Sequence, residues 1–446
     1  MKPFTNEILP QGYKMTELGA LPEEWEVVRL GDYCNIFSGY AFKSDDFCND
    51  GVLVVKIGNL QNGSIVLNDK ESFFPREKIN DDISKFILNE GDILMALTGA
   101  TTGKIALVPK SVNGALLNQR VGKFSIYNSS LYSSFAKYYF MTDEFQDTIK
   151  KNILQSAQGN ISPKQIETFK LPLPPLPEQQ KIAAVLSAVQ EAKEKTQAVI
   201  AATKALKKSM MKHLFTYGPV SPKETENVPF KETEIGKVPE EWEVVKLGEV
   251  AEIKGGKRLP KGHSFSPVPT LYPYIRIVDF YKGSVKLTNL QYLKPEDREI
   301  IKNYIITTQD VYISIAGTIG LVGTIPKDLD KANITENAAR LIILDTSKLD
   351  KLFVVGFLSS KQGQNEIIIR TTKTSQPKLA LTRIKQIPIP LPPLPVQQKI
   401  ASILSAIDAK IEAEENKKQA LEELFKTLLD NLMTAKIRVN TLDVPI

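Results

Sequence analysis

The sequence predicts an α+β fold built as a tandem duplication. Two mixed α/β domains are separated by two long helices, which pair as an antiparallel coiled coil with pseudo-twofold symmetry. Three observations predict this arrangement. Two sequence blocks recur after about 217 residues, an uninterrupted helical pattern follows each copy of the second block, and the two helical segments carry net charges of opposite sign.

The repeated blocks define the frame of the chain. TELGALPEEWEVVRLG at 16–31 recurs as TEIGKVPEEWEVVKLG at 233–248, and LPLPPLPEQQKIAAVL at 171–186 recurs as IPLPPLPVQQKIASIL at 389–404. Each pair is identical at twelve of sixteen positions. This period is much longer than a solenoid repeat, so each unit is a whole domain with a long appendage.

Each domain shows the same order of elements. Short runs rich in Val, Ile, Tyr and Phe are bounded by Gly, Asn and Asp, which predicts strands of a mixed sheet at 52–57, 92–97, 104–108 and 312–316. One amphipathic helix per domain is predicted around 130–149 and 349–368. A Pro-rich stretch follows and predicts a stiff, extended lead into the long helix.

The two long helices are predicted from the end of each Pro run. Apolar residues recur there at spacings of three and four, which predicts a coiled-coil seam. The seam positions are Ile182, Val185, Val189, Ala192, Val199, Leu206 and Met210 in the first helix, and Ile400, Ile403, Ile407, Leu421, Leu424 and Leu428 in the second. Net charges of +4 over 178–217 and −2 over 396–434 favour pairing of the two helices with each other.

These patterns divide the chain into four parts. We expect an N-terminal domain at 1–170, a central long helix at 171–217, a C-terminal domain at 218–388 and a C-terminal long helix at 389–446.

Composition limits the classes of function. The sequence has no run of about 18 apolar residues, and its start lacks the layout of a secretory signal, so we expect a cytoplasmic protein. The only cysteines, Cys34 and Cys48, fit a reducing compartment, and two isolated histidines give no zinc motif. We therefore expect no metal site. The net charge of +6 permits a polyanionic partner without requiring one.

Catalytic motifs are absent from the sequence. The stretch from Gly99 to Lys104 resembles a phosphate loop, but three residues separate its glycines where four are needed, and Ile105 follows the lysine. No nucleophile elbow, HExxH helix, dinucleotide fingerprint or base-methyltransferase tetrapeptide is present. The sequence therefore predicts a binding protein and no enzyme.

The duplicated P-E-x-W-x-x-x-x-L-G block, the SGYAFKS segment at 38–44 and the repeated P-L-P-P-L-x-x-Q-Q-x-I-A entry to a long helix resemble the specificity subunit of type I restriction-modification systems. The resemblance covers nearly the whole chain, and the order of the blocks is its most specific feature. It implies that each domain is a target recognition domain that reads one half of a bipartite double-stranded DNA site.

The resemblance also implies the partners. Two modification (methyltransferase) subunits and the ATP-dependent restriction subunits dock on the specificity subunit and carry the catalysis, while the two conserved helices set the spacing of the half-sites. S-adenosylmethionine is expected on the modification subunit, so we expect no cofactor on this chain.

Candidate DNA-binding residues lie in glycine-containing, cationic and amide-rich loops. Glycine lets the backbone approach DNA closely, cations hold phosphates or guanine, and amides pair with adenine. In the first domain the candidates are Tyr40, Phe42, Lys43, Ser44, Lys56, Thr98, Thr101, Thr102, Lys104, Asn118, Gln119, Arg120, Gln158 and Asn160. In the second they are Lys254, Lys257, Arg258, Lys261, Arg276, Thr318, Asn337, Arg340, Lys373, Gln376 and Lys378. The alternative is that these loops are ordinary solvated hairpins whose polar residues only form turns.

Candidate docking residues lie at the end of each long helix, where apolar side chains exceed the needs of one seam. They are Met210, Met211, Leu214, Phe215, Leu428, Leu429, Leu432 and Met433. They could face a partner's helices, or they could pack on the adjacent recognition domain.

Three functions compete at this stage. A DNA sequence reader accounts for both the long helices and the equivalent cationic loops. A coiled-coil scaffold without DNA contact would not need those loops, and a self-sufficient DNA enzyme would need the missing motifs.

The two domains differ in charge, which predicts different salt dependence of DNA binding. Residues 19–170 carry a net charge of −2 and residues 236–390 a net charge of +7. We expect the second domain to contribute more of the salt-dependent affinity, because each neutralised phosphate releases counterions. The logarithm of the affinity of each domain, plotted against the logarithm of salt concentration, measures this, and equal slopes would contradict it.

Overall fold

The computed structural model of the chain describes residues 9–61, 63–68, 71–154 and 159–439. They form two compact units. Unit 1 comprises Met1–Thr196 and Lys417–Ile446, and unit 2 comprises Gln197–Asn416. Within the described residues, no helix is both long enough and apolar enough to cross a membrane.

The secondary structure of unit 1 contains short strands and helices before the first long helix. Its strands are β1 (Tyr13–Thr16), β2 (Gly19–Pro22), β3 (Glu26–Arg29), β4 (Cys34–Ser38), β5 (Val52–Val55), β6 (Leu60–Gln61), β7 (Ser64–Ile65), β8 (Phe73–Phe74), β9 (Ile93–Ala96), β10 (Ile105–Leu107), β11 (Leu116–Leu117), β12 (Val121–Ile126) and β13 (Lys170–Leu173). Its helices are α1 (Asp81–Ser84), α2 (Ser133–Phe140), α3 (Asp143–Leu154) and α4 (Pro163–Glu167), followed by α5 (Leu176–Tyr217), which continues into unit 2.

Unit 2 repeats this order. Its strands are β14 (Phe230–Thr233), β15 (Gly236–Pro239), β16 (Glu243–Lys246), β17 (Ala251–Gly255), β18 (Pro273–Ile275), β19 (Phe280–Tyr281), β20 (Ser284–Val285), β21 (Gln291–Tyr292), β22 (Ile305–Ile306), β23 (Val311–Ser314), β24 (Val322–Gly323), β25 (Ala332–Ile334), β26 (Ala338–Ile343) and β27 (Pro388–Leu391). Its helices are α6 (Leu247–Val250), α7 (Pro295–Ile300), α8 (Lys351–Ser359), α9 (Lys361–Arg370), α10 (Leu381–Ile384) and α11 (Leu394–Met433), whose last turns belong to unit 1.

Both units contain the same two main sheets. An antiparallel sheet has the order β10-β9-β12-β4 in unit 1 and β17-β26-β23-β24 in unit 2. A smaller mixed sheet contains the parallel pair β5 and β11 in unit 1, and the parallel pair β18 and β25 in unit 2. The predicted mixed α/β fold in tandem is thus confirmed.

The repeated sequence blocks meet in the structure. The first block supplies β3 and the second supplies β13, which pair in antiparallel register, and β16 pairs with β27 in the same way in unit 2. The Pro-rich lead is therefore extended as predicted, but its first half is a sheet strand and the helix already begins at Leu176. Trp25 is fully buried beside this junction and donates from Nε1 to Glu178 Oε2 at 2.9 Å.

The single amphipathic helix predicted in each domain is wrong. Two helices lie where each single helix is predicted, α2 with α3 in unit 1 and α8 with α9 in unit 2. Thr142 lies between α2 and α3, and Ser360 lies between α8 and α9. The Thr142 hydroxyl accepts from the Phe145 amide at 3.3 Å, and the Ser360 hydroxyl accepts from the Gly363 amide at 3.2 Å. Such caps satisfy the free amides at the start of a new helix. Apolar periodicity does not reveal this break between helices, because the capping residues are polar.

The predicted antiparallel pairing of the long helices is confirmed within each unit. In unit 2, Lys204 pairs with Glu415 at 2.7 Å and Lys207 with Asp408 at 2.5 Å, so residue numbers rise along α5 as they fall along α11. In unit 1, the start of α5 shares one core with the end of α11, and the Lys193 ammonium lies 4.5 Å from the centre of the Phe425 ring.

Part of the predicted seam is wrong. Val199 is 40% exposed, whereas its neighbour Ile200 is 3% exposed, and Leu206 and Leu424 are also exposed. The buried face instead includes Thr196 and Glu414. The apolar pattern misses such positions because polar side chains can cover the seam with methyl groups and aliphatic stems.

A matched pair of substitutions tests this seam. Ile200→Asp places an unpaired charge in a buried position and should cost about 3 kcal/mol or more of stability. Val199→Asp, one residue away on the exposed side, should stay within about 0.5 kcal/mol. Thermal unfolding followed by circular dichroism measures both. Equal effects of the two substitutions would contradict the observed face.

Candidate nucleic-acid interface

Backbone hydrogen bonds hold four loops of unit 1 side by side. The bonds run from the Tyr40 amide to the Leu117 carbonyl (2.8 Å), from Gln119 to Tyr40 (2.9 Å), from Asn118 to Val55 (3.1 Å), from Leu97 to Arg120 (2.9 Å) and from Ile161 to Leu97 (3.1 Å). We call the loops at 39–44, 98–104, 118–120 and 159–161 cluster 1. They are adjacent because strands β4, β9, β11 and β12 end beside one another.

Unit 2 builds the same frame from different residues. The bonds run from the Lys257 amide to the Ile334 carbonyl (2.9 Å), from Thr335 to Ile275 (3.0 Å), from Ile315 to Asn337 (2.8 Å) and from Leu379 to Ile315 (2.9 Å). We call the loops at 256–263, 316–320, 335–337 and 373–378 cluster 2. The frame is made by backbone groups, so side chains can change without altering it.

One glycine in each unit permits the close approach of two loops. A β-carbon on Gly39 would lie 2.1 Å from the Leu117 carbonyl oxygen, and one on Gly256 would lie 2.1 Å from the Thr335 carbonyl oxygen. Any other residue at either position would therefore force the loops apart.

Cluster 1 contains polar atoms that lack partners. Thr98 Oγ1, Thr101 Oγ1 and Gln119 Oε1 are buried and have no hydrogen-bond partner within the described part of the chain. Each such group costs about 1–3 kcal/mol unless something satisfies it. These three unpartnered atoms lie in two adjacent loops, which makes the loops the candidate site for a polar ligand in unit 1.

Other predicted residues of unit 1 are distributed as follows. Lys43, Ser44, Lys104 and Arg120 are exposed, Tyr40 and Asn160 are half-buried, and Gln158 lies outside the described residues. The Thr102 hydroxyl donates to the Gly99 carbonyl at 2.6 Å, and buried Asn118 accepts from the Arg120 amide at 3.2 Å. Thr102 and Asn118 therefore shape their loops.

Two predicted residues of unit 1 contact its own side chains instead. Phe42 is buried against Phe74, with ring centres 5.1 Å apart, so its ring is not presented to a ligand. Lys56 donates to Ser72 Oγ at 2.6 Å and lies 3.9 Å from the centre of the Phe47 ring. Burial of this ammonium lowers the pKa of Lys56. Its charge supports the fold of the loop.

Two arginines of unit 2 are engaged in a similar way. Arg276 forms a two-pronged contact with Asp279 (Nη2 to Oδ1, 2.9 Å) and also donates to a backbone carbonyl. Arg340 lies 3.5 Å from buried Asp310. Lys123 and Asp92 form the equivalent pair of unit 1 at 2.5 Å, so this ion pair is part of the repeated frame.

The remaining predicted residues of unit 2 lie at or near its surface. The exposed residues are Lys254, Lys257, Arg258, Lys261, Thr318, Lys373, Gln376 and Lys378, and Asn337 is half-buried. Lys254 lies on β17, outside cluster 2, and pairs with Glu252 at 2.9 Å. Arg258 pairs with Glu336 at 2.8 Å.

The sequence pattern missed Thr335 and Glu336. They occupy the places of Asn118 and Gln119. Asn118 and Gln119 follow β11, which is parallel to β5, and Thr335 and Glu336 follow β25, which is parallel to β18. An alignment of the two halves at an offset of 217 places Thr335 and Glu336 opposite Asn118 and Gln119, although neither of them is an amide or a cation.

Comparison with known proteins agrees with this architecture. A family model described as "Type I restriction modification DNA specificity domain" matches residues 22–202 and 239–423. The chain belongs to this family. The type I restriction enzyme MjaVIII specificity subunit of Methanocaldococcus jannaschii is 29% identical and covers 95% of both chains. The putative MjaX specificity subunit of the same organism is 30% identical over 97% of this chain and 98% of its own.

Solved structures share the fold. A type I restriction-modification S subunit from M. genitalium aligns with a TM-score of 0.59 and 16% identity over 92% of this chain and 96% of its own. A second solved chain comes from a study of complex assembly and conformational transition of the type I R-M system. It aligns with a TM-score of 0.52 and 20% identity over 94% of this chain and 99% of its own. The chain is thus a non-catalytic DNA sequence-recognition subunit, as predicted, and the scaffold alternative is not favoured.

The predicted docking residues of this specificity subunit are mostly occupied within the chain. Leu214 and Phe215 are buried in the core of unit 2, and Leu429, Leu432 and Met433 in the core of unit 1. Met210, Met211 and Leu428 are half-buried. Packing on the adjacent recognition domain therefore accounts for most of them, because each helix end covers the sheet and helices beside it.

The close approach at Gly39 generates a prediction. Gly39→Ala should displace the Tyr40 loop, weaken DNA binding at least tenfold and lower stability, because its β-carbon would overlap the Leu117 carbonyl. Gly58→Ala is the control, since nothing lies within 4 Å of a β-carbon there. Fluorescence anisotropy with target DNA measures the affinity. The same loss in both variants would refute the role of the contact.

Proposed function

We propose that unit 1 and unit 2 each read one half of a bipartite DNA site, through cluster 1 and cluster 2 respectively. The observation that supports this most strongly is the shared backbone frame with different side chains at its edge. A frame of this kind suits two unrelated half-sites, since position is fixed by the backbone and sequence by the side chains.

The two clusters offer different chemistry to DNA. In cluster 1, the Arg120 guanidinium can bond the O6 and N7 atoms of guanine, and the Gln119 amide can bond adenine. In cluster 2, Arg258 and Glu336 stand at the edge of the frame, and a carboxylate accepts from the amino group of cytosine. Lys261, Lys373 and Lys378 are exposed cations that suit phosphates.

The long helices have two roles in this proposal. They set the spacing of the half-sites, since 42 and 40 residues of helix correspond to roughly 60 Å, more than one turn of duplex. They also dock two modification subunits, which bind S-adenosylmethionine and hold the restriction subunits. The division at 170/171, 217/218 and 388/389 separates the reading and docking parts. In this proposal the protein acts in the cytoplasm, together with the DNA that it reads.

Mapping the methylated adenines tests whether each unit reads one half of a bipartite site. The complete complex, expressed in a methylation-free host, should modify a bipartite sequence with a fixed gap. Arg120→Ala should relax one position of one half-site and cost about 1–3 kcal/mol of binding, because a guanine contact is lost.

The control for this experiment is Lys110→Ala, which removes an exposed cation outside cluster 1. It should leave the methylated sequence unchanged. Relaxation in both half-sites after Arg120→Ala, or in neither, would refute the assignment of one half-site to unit 1.

A further inference from the structure

Each unit contains a groove between the end of a long helix and the junction of two short helices. In unit 2 the groove runs between α5 and the junction of α8 and α9, and it encloses about 810 Å³. In unit 1 it runs between the end of α11 and the junction of α2 and α3, and it encloses about 730 Å³. We call them the unit 2 groove and the unit 1 groove.

The two grooves are equivalent in the duplicated fold. Positions 208, 211, 212 and 216 of α5 correspond at an offset of 218 to positions 426, 429 and 430 of α11 and to Thr434, which follows it. All eight residues line their grooves. The junctions also correspond. Gln146 donates to the carbonyls of Gly103 and Phe140, and Gln364 donates to those of Gly320 and Leu358.

The charges of the two grooves are opposite. Five lysines line the unit 2 groove and no acidic residue does: Lys204, Lys207, Lys208, Lys212 and Lys361. Three acidic residues and one lysine line the unit 1 groove: Asp143, Glu144, Asp430 and Lys426. Lys361 thus corresponds to Asp143, and Lys212 to Asp430.

Several charges of the unit 2 groove are not neutralised. Lys204 and Lys207 pair with acids of α11, whereas Lys208, Lys212 and Lys361 are exposed and form no ion pair within the described residues. The half-buried thioether of Met211 lies among them on the same helix face. A cationic rim beside an apolar side chain suits an amphipathic acidic segment.

The duplication argues against DNA as the occupant. If a phosphate backbone followed this groove in both recognition units, both grooves would need cations, whereas three acidic residues line the unit 1 groove. The carboxylates of Asp143 and Glu144 would repel phosphates instead, while Asp430 pairs with Lys436 at 2.8 Å. A protein partner has no such requirement.

We propose that the unit 2 groove docks an acidic, amphipathic segment of a modification subunit, and that the unit 1 groove does not accept the same segment equally. This inference rests on the proposed function, which supplies two identical modification subunits. Two identical subunits then meet two sites at equivalent positions but of opposite charge. The first binds at unit 2, and the second binds more weakly.

The test uses the full chain and the purified modification subunit encoded with it, titrated by calorimetry at salt concentrations from ~0.05 M to ~0.5 M. We expect two classes of site. The tighter class should weaken at least ~10-fold over this range because its charges are screened, while the weaker class should change less than ~3-fold.

Charge exchange between the grooves identifies the sites. The double substitution Lys212→Asp and Lys361→Asp gives the unit 2 groove the two aspartates that stand at the same positions in the unit 1 groove. It should abolish the tight, salt-sensitive class of binding site. Asp143→Lys with Asp430→Lys should create a second salt-sensitive class. All four residues are exposed, and circular dichroism checks that helix content is retained. The control is the double substitution Lys327→Asp and Lys348→Asp, which makes the same charge change at exposed cations outside the groove. It should alter neither class of binding site.

The outcomes are distinguishable. Failure of the unaltered chain to bind any modification subunit would refute the proposed function. Binding of two copies with equal affinity and equal salt dependence, or exchange variants that behave like the control, would refute the inference alone. DNA affinity of the chain by itself should be unchanged by Lys212→Asp with Lys361→Asp. A loss of more than ~3-fold there, with modification-subunit binding intact, would assign the groove to DNA and overturn the proposal.

Discussion

In the function proposed for this subunit, DNA reading depends on a backbone frame that is independent of the side chains it displays. Strand ends are joined by amide-to-carbonyl bonds, as from Leu97 to Arg120 in unit 1 and from Ile315 to Asn337 in unit 2. Glycines at 39 and 256 let the loops meet. Because the bonds use groups that every residue except proline carries, the displayed side chains can diverge while the platform stays constant. A protein that must read two unrelated half-sites needs this separation of support from readout.

The long helices show the same separation between what is kept and what varies. Within each unit, the ends of α5 and α11 are buried in the recognition core, while their outer faces differ in charge. The duplication therefore preserved the apolar contacts that hold each unit together. It left the exposed faces free to diverge, so two grooves at equivalent positions carry opposite charge.

Sequence patterns located the elements better than they assigned their faces. The strands at 92–97 and 312–316 and the two long helices were all predicted, because burial on a sheet and helical spacing leave strong apolar signals. The apolar spacing places Val199 in the seam, whereas Ile200 is the buried residue. The spacing does not separate these two adjacent apolar residues, because polar Lys193 and Thr196 interrupt the repeat before them. Among the site residues, Arg120 and Arg258 are exposed, but Arg340, Lys56 and Arg276 are used by the fold. Residue type alone cannot separate a cation that meets a ligand from one that neutralises a neighbouring acid.

The sequence by itself determined the duplication, the mixed α/β class, the antiparallel helices and the family, since each depends on residues repeated at a fixed offset. Only the tertiary structure decided which polar groups are left without partners and which loops of distant sequence form one edge. It also revealed that equivalent grooves differ in charge. These properties depend on contacts between residues such as Tyr40 and Gln119, far apart in the chain, and burial and pairing exist only once those contacts have formed.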